Sequence, residues 1–180
     1  MDAKRIQIVG SAGSGKSTLG ATLAACLACP LVEFDHLYWR PGWQPAPAEE
    51  FRSSVATALA GDRWVACGNY RAVRDLAWGR ADTVVWLDYP LPLTLFRLWR
   101  RTWHRILTQE ELWGGNRESW RAQFFSRESL LLYAVRTHRR RQREIDAMLA
   151  EAAYAHLTVL RFRRPASAAA WLDAAGCTGR

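Results

Sequence analysis

Residues 10–17 read Gly-Ser-Ala-Gly-Ser-Gly-Lys-Ser, an instance of the pattern G-x-x-x-x-G-K-[ST]. No other feature of the chain restricts its fold as tightly. The pattern requires a strand before it and a helix after it, and the flanking residues supply both. Residues 5–9, Arg-Ile-Gln-Ile-Val, predict a short buried strand, and the Ala/Leu-rich residues 18–27 predict a helix stopped by Pro30. At this chain length the pattern arises by chance in roughly one sequence in a hundred. Its glycines let successive backbone N–H groups turn inward around phosphate oxygens, and the helix starting near Lys16 adds the positive end of its dipole. Gly10, Ser11, Ala12, Gly13, Ser14 and Gly15 then form a cradle. Lys16 reaches the β- and γ-phosphates of ATP, Ser17 ligates Mg²⁺, and Thr18 touches the α-phosphate. ATP and Mg²⁺ are therefore the expected cofactors.

The rest of the chain extends this unit. Strands are predicted at 31–34, 64–67, 83–87 and 157–162, and helices at 48–60, 93–107, 128–152 and 165–175. Five short strands alternating with helices place the chain in the α/β class, as a three-layer sandwich with a five-stranded parallel sheet and helices on both faces. The 180 residues fit a single domain, 1–180, with a small lid inserted at about 103–127 around Gly114-Gly115. The charge-free run 19–32 is too short to cross a bilayer, so no membrane partner is expected and the cytoplasm is the expected compartment. Cys26 and Cys29 form a lone C-x-x-C with no second pair and read as buried thiols near a helix end.

Phosphoryl transfer also needs carboxylates, and three stand where ligands gather in open α/β sheets. Asp35 follows the second strand and is read as the residue that binds the acceptor or takes its proton. Asp88 follows Thr83-Val84-Val85-Trp86-Leu87; it is read as a metal ligand, or as the cap of the turn before Pro90. Asp75 lies after the third strand, and His36 is a polar neighbour of Asp35. The formal charge of +8 is confined to residues 97–143, which hold twelve arginines against four acidic residues; the remainder is neutral. Such a segment faces phosphate, on a small molecule or on a nucleic acid.

Taken together, these residues resemble the adenylate-kinase-like phosphate-loop kinases, and within them the DNA topology modulation protein family. The resemblance rests on residues 10–18, Asp35-His36-Leu37-Tyr38-Trp39-Arg40-Pro41-Gly42-Trp43, Trp64-Val65-Ala66-Cys67-Gly68-Asn69-Tyr70, Val84-Val85-Trp86-Leu87-Asp88-Tyr89-Pro90 and Trp113-Gly114-Gly115-Asn116-Arg117-Glu118. It implies a five-stranded parallel core, a mobile lid, ATP as donor and a small phosphate acceptor. It also implies that Arg97, Arg101 and Arg136 clamp the migrating phosphoryl group, with Arg117, Arg121 and Arg127 in or beside the lid. The 163–166 loop is implied to pack on the adenine. Related sequences carry Asp before Gly68, where this chain has Cys67.

Three functions fit these residues. The first is an ATP-dependent phosphotransferase acting on a nucleotide or another small metabolite. The second is a nucleic-acid-binding regulator that uses ATP as a switch; the basic segment and the ten tryptophans favour it, but no base-reading motif is present. The third, suggested by Cys67, is an ATP-binding protein with degenerate catalysis. The arginines make the first the preferred reading, and the oligomeric state is open.

Overall fold

The structure is a computed structural model that describes residues 3–118 and 130–177. The chain order is β1 (Arg5–Gly10), α1 (Lys16–Cys26), β2 (Leu31–Glu33), α2 (Phe34–Tyr38), β3 (Trp39–Arg40), β4 (Gln44–Pro45), α3 (Ala48–Ala58), β5 (Trp64–Cys67) and α4 (Arg74–Arg80). It continues with β6 (Thr83–Leu87), α5 (Leu91–Thr108), β7 (Glu111–Leu112), β8 (Asn116–Arg117), α6 (Leu130–Leu149), β9 (Thr158–Phe162) and α7 (Pro165–Ala174). Five strands form one parallel sheet in the order β2-β5-β1-β6-β9.

Strand alternation sends side chains to the two faces of this sheet. On one face Val9, Val32, Trp64, Ala66, Val84 and Trp86 pack against residues of α3, α4 and α6, including Phe51, Val55, Ala77 and Ile145. On the other, Ile6, Ile8, Val65, Cys67, Val85 and Leu87 pack against Leu19 and Leu23 of α1 and Ala168 and Leu172 of α7. The result is the expected three-layer α/β sandwich. Because β1 is central, its C-terminal end delivers the 10–17 loop to the middle of one sheet edge, where the strand order reverses.

Four local expectations are corrected. Phe34 does not extend the second strand; it starts α2, because its ring is buried against Gly68, where an added Cβ would meet Phe34 Cβ at 2.8 Å. Helix α5 runs Leu91–Thr108, beginning two residues earlier and ending one later than the 93–107 expectation. Residues 39–45 and 111–117 each close as a two-stranded antiparallel hairpin, too short to show as alternation in sequence. Cys26 is not a free thiol: it forms a disulfide with Cys177, 151 residues away, because α7 brings its C-terminal end back to the end of α1. Cys29 and Cys67 are free.

Candidate active site

The loop between β1 and α1 is held from three sides. From β5, the Asn69 side chain brackets the Gly10 peptide: Nδ2 donates to Gly10 O at 2.7 Å, and Gly10 N–H donates to Oδ1 at 3.3 Å. Beneath it, buried Gln7 donates to Gly68 O at 2.9 Å and ties the two strand ends together. From α5, the backbone presses directly on Gly13, where a Cβ would stand 2.3 Å from Thr94 O and φ is +79°; only glycine fits. From α6, His138 Nδ1 lies 3.1 Å from Ser11 Oγ. Burial holds the His138 pKa below the usual imidazole range, so at neutral pH the ring is uncharged against this hydroxyl.

Lys16 donates to Gly10 O and Ser11 O, each at 3.0 Å. Its burial pulls the ammonium down to about 8, and Asp35, within electrostatic reach, works in the opposite direction. Ser17 and Thr18 are exposed on the first turn of α1, which carries no acidic residue. The start of this helix therefore presents N–H groups, a hydroxyl and an ammonium with no competing anion.

Asp35 sits in the first turn of α2, and the Tyr70 hydroxyl donates to its Oδ1. Tyr70 is itself wedged among Tyr38 and Phe51, so its position is set by the core. Burial and the neighbouring Asp35 charge push the Tyr70 phenol upward and keep it a donor at all working pH values. The Gly68-Asn69-Tyr70 segment thus fixes both the loop and the carboxylate from consecutive residues.

Two of the three sequence-predicted arginines join this group. Arg97 places its guanidinium carbon 5.6 Å from the Tyr89 ring centroid, and its Nη1 would be 3.9 Å from a Cβ at Gly15. Arg101, one turn further along α5, is half-buried, and its Nε has no hydrogen-bond partner among the described residues. Burial lowers its pKa, and Asp35 is among the carboxylates that act against that shift. Arg97 and Arg101, with Arg100 and His104, line a cavity of about 410 Å³.

The third arginine is elsewhere. Arg136 is exposed, about half a turn away from the buried Ala134 and His138 that face the protein, so α6 turns it outward. Arg141 takes the inward position instead and acts on the Lys16 charge. Arg117 is paired with Glu111 across its hairpin at 2.6 Å. Arg121, Arg127 and Trp120 lie outside the described residues.

The other carboxylates are committed to protein partners. Asp75 is exposed and holds Arg52 with bonds of 3.0 and 2.8 Å, joining α3 to α4 away from the loop. Asp88 is buried: Gln142 donates to Oδ1 at 2.6 Å, and Arg161 donates to Oδ2 from Nε at 2.9 Å and Nη2 at 2.7 Å. Arg161 also covers the Trp86 ring at 3.9 Å. In this structure Asp88 clamps β6 to β9 and α6. Cys67, where the resemblance implied an aspartate, points to the apolar face; burial pushes its thiol up to about 12, and Sγ donates to Lys16 O at 3.4 Å.

His138, Arg141, Asn69 and Tyr70 had no assigned role in sequence. The signal for the first two was a stripe on an arginine-rich helix, Ala134, His138 and Ile145, whose apolar and neutral character sets the inward face. Beside the site, the two hairpins interlock: Asn116 accepts from Trp43 N–H at 2.9 Å and donates to Arg40 O at 2.9 Å. Trp39, Trp43 and Trp113 follow one another edge to face, with centroid separations of 5.6 and 6.5 Å, and His36 meets Trp113 at 6.0 Å.

The chain matches no protein-family model and no curated protein sequence. Solved structures do match. Shikimate kinase from Bacteroides thetaiotaomicron is 14% identical with a TM-score of 0.56, covering 97% of this chain and 99% of that one. The fold is similar to that of shikimate kinases. Shikimate kinase from Acinetobacter baumannii, in complex with shikimate, agrees at 18% identity and a TM-score of 0.53 over 97% of this chain and 91% of that one. A gluconokinase from Sinorhizobium meliloti 1021 matches at 17% identity and a TM-score of 0.49 over 98% of both chains. At these identities the shikimate kinase matches establish the fold: a five-stranded parallel sheet with helices on both faces. Among the described residues, no helix is long and apolar enough to cross a membrane.

The lowered Lys16 pKa has a measurable consequence. If the loop holds a triphosphate, that ligand needs the ammonium, whose pKa burial lowers to about 8 in the free protein. Above pH 8, binding must therefore take up a proton, and the Kd for Mg-ATP is expected to rise by up to ~tenfold per pH unit. Calorimetric titration between about pH 7 and about pH 9.5 checks this, and a flat Kd would contradict it.

Proposed function

We propose that this protein is an ATP- and Mg²⁺-dependent phosphotransferase of the adenylate-kinase-like class, acting on a small acceptor. The observation that carries this reading is convergence. Lys16, Asp35, Arg97 and Arg101 come from three separate segments and meet around one glycine loop. The fold likeness to shikimate kinases, one of them in complex with shikimate, supports a small molecule as acceptor. Residues 1–180 then act as one kinase domain, and the blocks quoted above ally it with the DNA topology modulation proteins.

In this reading the 10–15 amides and Lys16 hold the β- and γ-phosphates of ATP. Mg²⁺ would neutralise phosphate charge there, and the exposed Ser17 hydroxyl is the side chain that would hold it. The donor set fits this use: an exposed hydroxyl, Ser17, stands on the first turn of α1 beside the loop, and nucleotide-borne Mg²⁺ keeps most of its ligands from phosphate and water. Asp35, oriented by Tyr70, receives the proton from the acceptor hydroxyl. The acceptor oxygen bonds to the γ-phosphorus as the bond to the bridging oxygen breaks, and ADP leaves with that electron pair. Arg97 and Arg101 stabilise the charge spread over the migrating group.

The test is ADP release from Mg-ATP with no acceptor, with a pool of nucleoside monophosphates and small metabolites, and with duplex DNA. The expected result is stimulation by the small-molecule pool. Lys16→Ala is expected to lower this turnover by ~10²–10³-fold. Stimulation by DNA alone would replace this reading with the regulatory one. Absence of any Lys16-dependent release would leave an ATP-binding protein without chemistry.

A further inference from the structure

The outer side of α5 is more apolar than a solvated helix face needs to be. Phe96, Trp99, Trp103 and Leu107 recur at intervals of three and four, so they fall on one stripe, and they are 58%, 45%, 39% and 64% exposed. The three aromatic rings run in series, with centroids 6.4 and 6.0 Å apart. Helix α6 extends the patch through Leu132 and Val135, also exposed. Between the helices lies an open groove of about 360 Å³ lined by Leu95, Phe96, Trp99, Leu131, Leu132 and Val135. The residues by which α5 meets the phosphate loop, Thr94, Arg97 and Leu98, leave from the far side of the helix.

The charge around this patch is predominantly positive. Residues 91–108 and 130–143 contain nine arginines and no aspartate or glutamate, and of the nine Arg105 and Arg140 are paired with glutamates outside these ranges. Arg100 and His104 border the stripe on α5. On α6, Arg136, Arg139 and Arg143 continue the line begun by Leu132 and Val135, and all three are exposed.

We infer that this α5–α6 face docks on an anionic lipid surface. The occupant must be apolar at its centre and negative at its rim. A second copy of the chain meets the first requirement but faces arginine with arginine, with no carboxylate to answer it. A nucleic acid meets the second and could stack bases on the three rings, but aliphatic Leu107, Leu132 and Val135 and the apolar groove beside them would be left against a polar backbone. The acyl–headgroup boundary meets both: Trp and Phe rings settle at that depth, and arginines extend their guanidinium groups to the headgroups. This is peripheral contact, distinct from the membrane-spanning segment that the sequence excludes. It also gives Arg136 a place that the phosphate site does not.

Co-sedimentation with vesicles tests it, using phosphatidylcholine alone and phosphatidylcholine mixed with phosphatidylserine. The chain is expected to sediment with the mixed vesicles and not with the neutral ones. Added salt is expected to release it, and inorganic phosphate at matched ionic strength to do no more than salt. Phe96→Ser with Trp99→Ser is expected to reduce partitioning by roughly a hundredfold, and Arg139→Gln with Arg143→Gln by roughly tenfold or more. All four sites are exposed, so a cooperative melt and Lys16-dependent ATP binding should persist and report an intact fold. Quenching of wild-type tryptophan fluorescence by brominated lipid in the mixed vesicles provides a reading that needs no variant. No sedimentation with mixed vesicles overturns the inference. So does partitioning that both variants leave unchanged, or a dimer or a DNA complex that depends on Phe96 and Trp99 while vesicles are not bound.

Discussion

Asp35→Asn is expected to lower acceptor phosphorylation by ~10²–10⁴-fold while changing the Kd for Mg-ATP at pH 7 by no more than about threefold. The asymmetry follows from position. Asp35 stands on α2, outside the 10–17 loop, and among the described residues its side chain accepts one hydrogen bond, from Tyr70. Asparagine keeps the shape and can still accept from Tyr70, but it cannot take a proton. The loss therefore falls on kcat. Tyr70→Phe is the companion variant. It keeps the carboxylate and the core packing but removes the orienting hydroxyl, and about a tenfold drop in kcat is expected. If Asp35→Asn turns over within about threefold of wild type, the carboxylate takes no part in proton transfer.

The phosphate loop was legible because its chemistry is local. Eight consecutive residues carry the cradle, the ammonium and the hydroxyl, and the flanking strand and helix follow from apolar patterning. The sheet was legible for a similar reason: buried parallel strands read as continuous runs of apolar side chains such as Thr83–Leu87. What the sequence concealed was contact between distant segments. Cys26 and Cys177 pair only because α7 returns to α1. His138 reaches Ser11 across 127 residues, and helix phase decides that Arg141 turns inward while Arg136 turns out. The hairpins at 39–45 and 111–117 depend on Asn116 bridging them, which no local propensity encodes. Arginine spacing alone could not separate the residues of α5 that face the 10–17 loop from those that border an apolar surface, because both sets sit on one helix.

Asp88 illustrates the same limit, and its substitution has the largest expected effect on stability. An aspartate after an apolar strand beside a phosphate loop reads as a metal ligand, yet here both oxygens accept hydrogen bonds from protein donors. Asp88→Asn leaves Arg161 without its buried counter-charge and turns an amide N–H₂ toward either Arg161 or Gln142. Removing one member of a buried pair costs about 3–5 kcal/mol. Arg161 retains Asp146 at 2.8 Å and some solvent contact, so a loss of about 2–4 kcal/mol in denaturant unfolding is expected. Arg161→Met in the same chain should recover much of that loss, because the orphaned cation is then gone. The Mg²⁺ concentration for half-maximal activity should stay within about threefold of wild type, since the hydroxyl of Ser17 is untouched. The Kd for Mg-ATP should rise several-fold, because Gln142 anchors the same helix that brings His138 to Ser11. An unchanged unfolding free energy combined with a Mg²⁺ requirement raised about a hundredfold would instead return Asp88 to the metal.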